Sequence, residues 1–277
     1  MTLADIANNP LYAGKGASKS ETVHQILKRR ILLGYLTDEC PITEQALAQE
    51  FSCSQGTVRE ALLRLQECGL VDRRGYQGTF VTRTTRDEAI IMTRMRVHLE
   101  CTGVERAVAA ADDAKLDDLR ELMDLYEESR EQHDVFTCSE IDRHLHCFIF
   151  DMAEMPMLEP FLNRALLQLH RYMVSPHQGN IIWNRNEGSR HIDILDAFER
   201  RDAESAKRRM KRFNCQLALK VVVHESGAAG TLSERTLQLL VEAGLDTPIT
   251  MGTSHYEAYQ LARSIGQRDK ASEHLRR

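Results

Sequence analysis

The sequence predicts a mainly α-helical chain with one small β-hairpin. Three observations carry this. Residues 20–84 read as three capped helices followed by two short strands. Residues 85–225 keep helical periodicity with five breaks and no convincing strand. The whole chain of 277 residues holds only 15 Gly and 6 Pro, and such sparse punctuation leaves room for long helices. The length suits two domains, each with its own core.

The elements follow in order. Residues 1–19 are small, polar and aperiodic, and read as a loose arm. Val23, Ile26, Leu27, Ile31 and Leu32 then recur at helical spacing, and Gly34 stands where a helix stops. Thr43 is positioned to cap a second helix, TEQALAQEF, with Leu47 and Phe51 turned inward. After a tight turn at residues 52–54, Ser54 can cap a third helix over about 55–68, whose apolar face is Val58, Ala61, Leu62 and Leu65. Gly69 ends it. The runs LVDRR and GTFVTR form a hairpin around residues 75–78.

Thr85 and Glu88 stand at capping-box spacing, so a long helix starts near Arg86. Breaks near Asp112, His133, residues 155–156, residues 176–187 and residues 201–202 divide the region up to about 224 into six or seven helices. SGAAG links to a C-terminal extension, residues 226–277, where Thr231 with Glu234 and Ser254 with Glu257 suggest two short helices, a disordered tail being the alternative.

Composition excludes several classes. Charged residues make up 28% and aromatics 6%, with a net charge of -5, so a nucleic-acid partner would have to meet a local basic face. The seven cysteines form no C-x-x-C pair and are odd in number, which points to reduced thiols in a cytoplasm. The first twenty residues lack the apolar core of a secretory signal, and no stretch approaches 18 apolar residues, so no membrane span is expected.

A helix pair of this kind, with a hairpin behind it, is a winged helix-turn-helix. Its second helix enters the major groove of double-stranded DNA and offers its first residues to base edges. Gln55, Thr57 and Arg59 lie near the exposed start of that helix, Gly56 leaves room for close approach, Arg64 follows, and Arg73 and Arg74 sit on the hairpin. Lys28, Arg29 and Arg30 on the first helix are candidates for phosphate contact.

The segments ILKRRILLGYL and TEQALAQEFSCSQGTVREALLRLQECGLVDRRGYQGTFV resemble the N-terminal domain of the GntR family of bacterial regulators over about 60 residues. The resemblance implies DNA contact at Gln45, Gln55, Thr57 and Arg59, with a wing tip at Gly75, Tyr76 and Gln77 reaching the minor groove. Many relatives carry arginine where this chain has Gln45 and Gln55. Glutamine suits adenine rather than guanine, so a different operator is expected. The loop at residues 37–41 also lacks the usual Pro-Gly pair.

In the helical region Asp142 and His146 are four apart and share a face, and His191 begins a later helix. One carboxylate and two imidazoles converging inside a bundle suit zinc or a similar divalent ion. The spacing is also common by chance, and a histidine so placed is more often an ordinary polar group on a helix surface. MRVHLECTGVERAVAA, IDRHLHCFIFDMAEMPMLEPFL and SRHIDILDAFERRDAESAKRRMKRF resemble the FCD ligand-binding domain of FadR-like GntR regulators.

That resemblance implies a metal held by one Asp and three His, here Asp142, His146, His191 and a fourth position occupied by Phe213, which cannot coordinate. Asn214 beside it is expected to point elsewhere. It also implies a small carboxylate effector facing Arg96, alongside the metal residues. The alternative for Arg96 is a surface salt bridge with Glu100 at i,i+4 spacing. Tyr172 and Trp183 line a site or fill core and rim. No general base stands beside the ligands by any motif, which argues against an enzyme. The chain is therefore read as a homodimeric, cytoplasmic transcriptional regulator, a repressor or an activator.

Overall fold

The structure, a computed structural model, describes residues 18–174 and 191–224, with residue 86 and residues 215–224 described by their backbone alone. The extension with its two capping boxes, and Trp183, lie outside the described residues. Helix α1 is Lys19–Leu32, α2 Glu44–Glu50 and α3 Gln55–Glu67. Ser18 and Ser54 accept hydrogen bonds from the backbone N–H groups of Glu21 and Thr57 and so cap α1 and α3. Thr43 precedes α2 in extended conformation but makes no side-chain cap. Gly34 and Gly69 end α1 and α3 at φ of +78° and +76°.

Strands β1 (Val71–Arg73) and β2 (Thr79–Val81) pair antiparallel, Val71 opposite Val81, with a 3-10 turn at Gly75–Gln77 between them. They are shorter than the runs in the sequence. At their inner end the Thr82 hydroxyl leaves the ladder to bond the Gly69 carbonyl at 2.7 Å.

Six helices form the rest of the described chain: α4 (Arg86–Ala110), α5 (Asp113–Glu131), α6 (Val135–Asp151), α7 (Glu159–Val174), α8 (His191–Glu199) and α9 (Ala203–His224). The Thr85–Glu88 capping box that opens α4 is complete. α9 runs along α4, α5 lies on α6, and α4 also packs on α6 and α7. α4 and α6 approach closely at Gly103, where a β-carbon would come 2.6 Å from the Phe150 ring.

One hydrophobic cluster runs from Leu27, Ile31 and Leu65 of the N-terminal unit through Phe136 and Leu145 to Phe198 and Met210. The winged helix is therefore docked on the helical unit. This overturns one expectation. Lys28 is not a phosphate contact: it is buried, with its ammonium 2.5 Å from a Glu140 carboxylate oxygen of α6. The polar face of α1 that carries it is the docking face. Among the described residues no helix is long and apolar enough to cross a membrane.

Candidate DNA-reading face and buried ligand cluster

The start of α3 and the wing share the free side of the N-terminal unit. Gln45 on α2 and Gln55, Gly56 and Arg59 on α3 are exposed, and Thr57 is half-buried with its hydroxyl 2.9 Å from that of Ser54. The Arg59 guanidinium is clasped by Glu44 of α2, Nη2 at 2.7 Å and Nε at 3.1 Å, and 54% of its side chain remains in solvent. That pairing holds the Glu44 carboxyl below its ordinary range. Arg73 stands 3.8 Å from the same carboxylate. Arg64, near the other end of α3, is half-buried and ion-paired to Glu21 of α1. At the wing, Arg74 pairs with Asp72 at 3.2 Å and stacks on Phe80, while Gly75, Tyr76 and Gln77 are exposed.

The second site is enclosed by α4, α6, α7, α8 and α9. Asp142 and His146 on α6 and His191 at the start of α8 present one ligand atom each, all within 4.8 Å of one another. Asp142 Oδ1 lies 3.1 Å from His191 Nε2 and 3.9 Å from His146 Nε2, and the two Nε2 atoms are 3.3 Å apart. All three residues are buried.

The surroundings were only partly legible. Glu100 of α4 places Oε1 3.0 Å from His146 Nδ1, off the line of a well-formed hydrogen bond. Arg96 donates from Nε to the same oxygen at 3.0 Å. The Arg96–Glu100 salt bridge therefore exists, but it is not on the surface: Arg96 is fully buried. Asn214 follows Phe213 on α9. It is fully buried and its amide nitrogen bonds the second Glu100 oxygen, because α9 lies against α4 along its length.

His170 of α7, absent from any motif, puts Nε2 2.9 Å from Asp142 Oδ2, with its Nδ1 2.9 Å from the Ser139 hydroxyl. The Phe213 ring lies 5.1 Å from the His146 ring and 4.5 Å from that of His191, centroid to centroid, and Arg96 stands over it. The rings of Tyr126 and His191 stand nearly perpendicular, 4.7 Å between centroids. Tyr172 packs on Ala89, Ile90, Leu169 and Met173, in a separate apolar cluster.

Burial opposes the charge on Glu100, yet Arg96 and His146 outweigh it and hold the carboxyl at about 2. Burial likewise opposes the charge on Asp142, but the facing histidines keep it well below the usual carboxylate range. Burial lowers His146, favouring the neutral ring. A neutral His146 with its proton on Nδ1, toward Glu100, carries a lone pair on Nε2, which is the form that ligates metals.

Residues 19–81 match the family described as "Bacterial regulatory proteins, gntR family", and residues 92–214 match the FCD domain. The HTH-type transcriptional repressor RspR of Escherichia coli K12 is 23% identical over 197 residues, 69% of this chain and 83% of that protein. The HTH-type regulator BphR of Paraburkholderia xenovorans is 25% identical over 204 residues, 71% of this chain and 82% of that protein.

Among solved structures, E. coli McbR/YncC superposes with a TM-score of 0.64 at 21% identity, covering 75% of this chain and 99% of that one. A GntR regulator from Rhodococcus sp. RHA1 gives 0.58 at 22%, covering 74% and 98%. Both share the fold. With the two family matches covering well over half of the chain in this order, the protein belongs to the GntR family of bacterial DNA-binding transcriptional regulators, with an FCD effector-binding domain behind its winged helix.

Proposed function

We propose that this regulator is controlled from the buried cluster, where Asp142, His146 and His191 hold a divalent metal ion, zinc by the chemistry of the donors, and where a small carboxylate metabolite completes the coordination and meets Arg96. The observation that carries the reading is a gathering of unused polar groups. Arg96 Nη2 and Asn214 Oδ1 are buried without a hydrogen-bond partner, beside three residues whose ligand atoms all lie within 4.8 Å of one another. Folded proteins rarely leave such groups unpaired, so their concentration marks a place for a ligand.

The donor set fits a metal. Zinc with bonds of about 2.1 Å in a tetrahedron spaces its ligands about 3.4 Å apart. The 3.1, 3.3 and 3.9 Å separations surround that value. Two imidazole Nε2 atoms facing each other also favour a shared cation over two lone pairs. Phe213 leaves the fourth position without a protein ligand, which is where an effector carboxylate or water would bind. Arg96 adds a guanidinium with one nitrogen unused.

On the DNA side, Gln45, Gln55, Gly56, Thr57 and Arg59 read the major groove, and Arg74 with Gly75, Tyr76 and Gln77 the adjacent backbone and minor groove. The protein acts as a homodimer in the cytoplasm. Support for the dimer comes from exposed apolar side chains on two packed helices and the turn before one of them: Ile91 and Met95 of α4, Phe161 of α7, and Met157 and Leu158 just before it. The sign of regulation follows RspR, which is named a repressor.

Elemental analysis of the purified protein tests the metal. About one zinc per chain is expected, lost in His191→Ala. Metal content that is nil, or that His191→Ala leaves unchanged, rejects the site. For the effector, a panel of small carboxylates should include one that raises the melting temperature of the zinc-loaded protein by a few degrees, and not that of Arg96→Gln.

A further inference from the structure

We infer that helices α6 and α7 carry the state of the buried cluster to the DNA-recognition helix, because each grips the cluster with one face and the winged helix with the opposite face. Residues two apart on a helix point about 200° apart. On α6, Asp142 belongs to the cluster, and Glu140, two residues earlier, holds Lys28 of α1 at 2.5 Å and Arg143 of its own helix at 3.2 Å. On α7, His170 holds Asp142 at 2.9 Å, and Gln168, two residues earlier, donates to the Gly69 carbonyl at 2.5 Å. Both pairings are buried.

Gly69 is the residue at which α3 ends, and its left-handed backbone is covered by Arg164 of α7, whose Nε a β-carbon there would meet at 2.5 Å. Gln168 also accepts from the Thr84 hydroxyl at 3.1 Å, and Arg171 of α7 donates to that hydroxyl at 2.8 Å. Thr84 stands just before the cap of α4, where the wing passes into the helical unit. From the cluster carboxylate to the end of the recognition helix the path is therefore one hydrogen bond, half a turn of helix and a second hydrogen bond. Close-packed interiors transmit displacement of this kind, and a hydrogen bond weakened at a buried partner leaves that partner's desolvation uncompensated. The inference rests on the reading of the cluster as the effector site, since a change in the position of Asp142 is what α7 would convey.

Backbone hydrogen exchange of the full chain, followed by mass spectrometry, tests it without any ligand. The amides of residues 68–70 close α3 by bonding the carbonyls of Arg64, Gln66 and Leu65. Ser139→Ala removes the hydroxyl beside His170, and His170→Leu removes the link to Asp142. Each is expected to speed exchange at residues 68–70 by about fivefold, as is Gln168→Leu, while residues 203–210 at the start of α9, which packs on α4 and α8, stay unchanged. Adding Ser139→Ala to Gln168→Leu should add nothing. The inference fails if Ser139→Ala and His170→Leu leave residues 68–70 unchanged, or if residues 203–210 accelerate equally, which is global loosening. Should His170→Leu not fold, Ser139→Ala decides alone. Zinc content of the same wild-type sample separates the two readings: zinc without coupling overturns the inference, and coupling without zinc overturns the metal site while the coupling stands.

Discussion

Arg59 leaves the start of α3 with half of its side chain in solvent and its guanidinium already oriented by Glu44. A planar fork held in place loses little freedom when it meets a base edge or a phosphate. Arg59→Ala should therefore weaken operator binding by roughly tenfold to a hundredfold, the value of one good base contact, with an unchanged far-ultraviolet circular dichroism spectrum. Fluorescence anisotropy at moderate salt measures this, and retained affinity would remove Arg59 from the reading set.

At the buried cluster, Phe213→His should tighten zinc binding by about tenfold or more. Its ring already lies beside both histidine rings, and the variant would supply a fourth ligand to the proposed metal. Competition with a chelating dye reads the affinity, and no gain would place the metal elsewhere. Asp142 and His146 were legible as a pair because the helix period puts residues four apart on one face. His170 was not, because its link to Asp142 joins two helices and leaves no spacing in the chain. Arg96 admitted two readings, and the structure gives a form of one of them, a salt bridge placed in the interior.

At the scale of elements, stops and caps decide much of the N-terminal unit. Gly69 ends α3 in a conformation that costs a side chain about 1 kcal/mol, and Arg164 occupies the space a β-carbon would need. Gly69→Ala should lower the unfolding free energy by about 1 to 2 kcal/mol, read from the urea midpoint. An unchanged midpoint would contradict the tight stop.

Helix α1 holds a titrating device. Burial, then Lys28 and Arg64, depress His24 to about 4, against smaller opposing effects of Glu21 and Glu140. A depressed histidine is neutral in the folded state. Its contribution is complete above the unfolded value near 6.5 and is lost as pH falls from there to about 4, a change of about 3 kcal/mol. Urea unfolding at several pH values should show this slope, and His24→Gln should flatten it. The same helix explains a misread lysine. Taken alone, α1 shows Lys28 only as the first of three consecutive basic residues beside an apolar stripe, and only the presence of α6 reveals that it is buried against a carboxylate.

At the scale of the molecule, helices, hairpin and their order followed from periodicity and punctuation, helped by side-chain caps at the starts of α1, α3, α4, α5 and α6. The docking of the winged helix on α6 and α7 did not. It depends on contacts such as Gln168 to Gly69, 99 residues apart, which no local pattern encodes. That docking gives the protein a fixed relation between effector domain and DNA head, and it is this relation that a ligand with different affinities for two arrangements would shift. In the proposed homodimer, two such heads related by two-fold symmetry would require two half-sites in inverted orientation.

The most direct measurement is the selection of bound fragments from the source genome by the purified protein at about 150 mM salt, where non-specific phosphate binding is weak. The account predicts recovery of one short near-palindrome whose half-sites are about one helical turn apart. Fragments sharing no sequence, or sharing a single unpaired half-site, would contradict a symmetric reader of DNA.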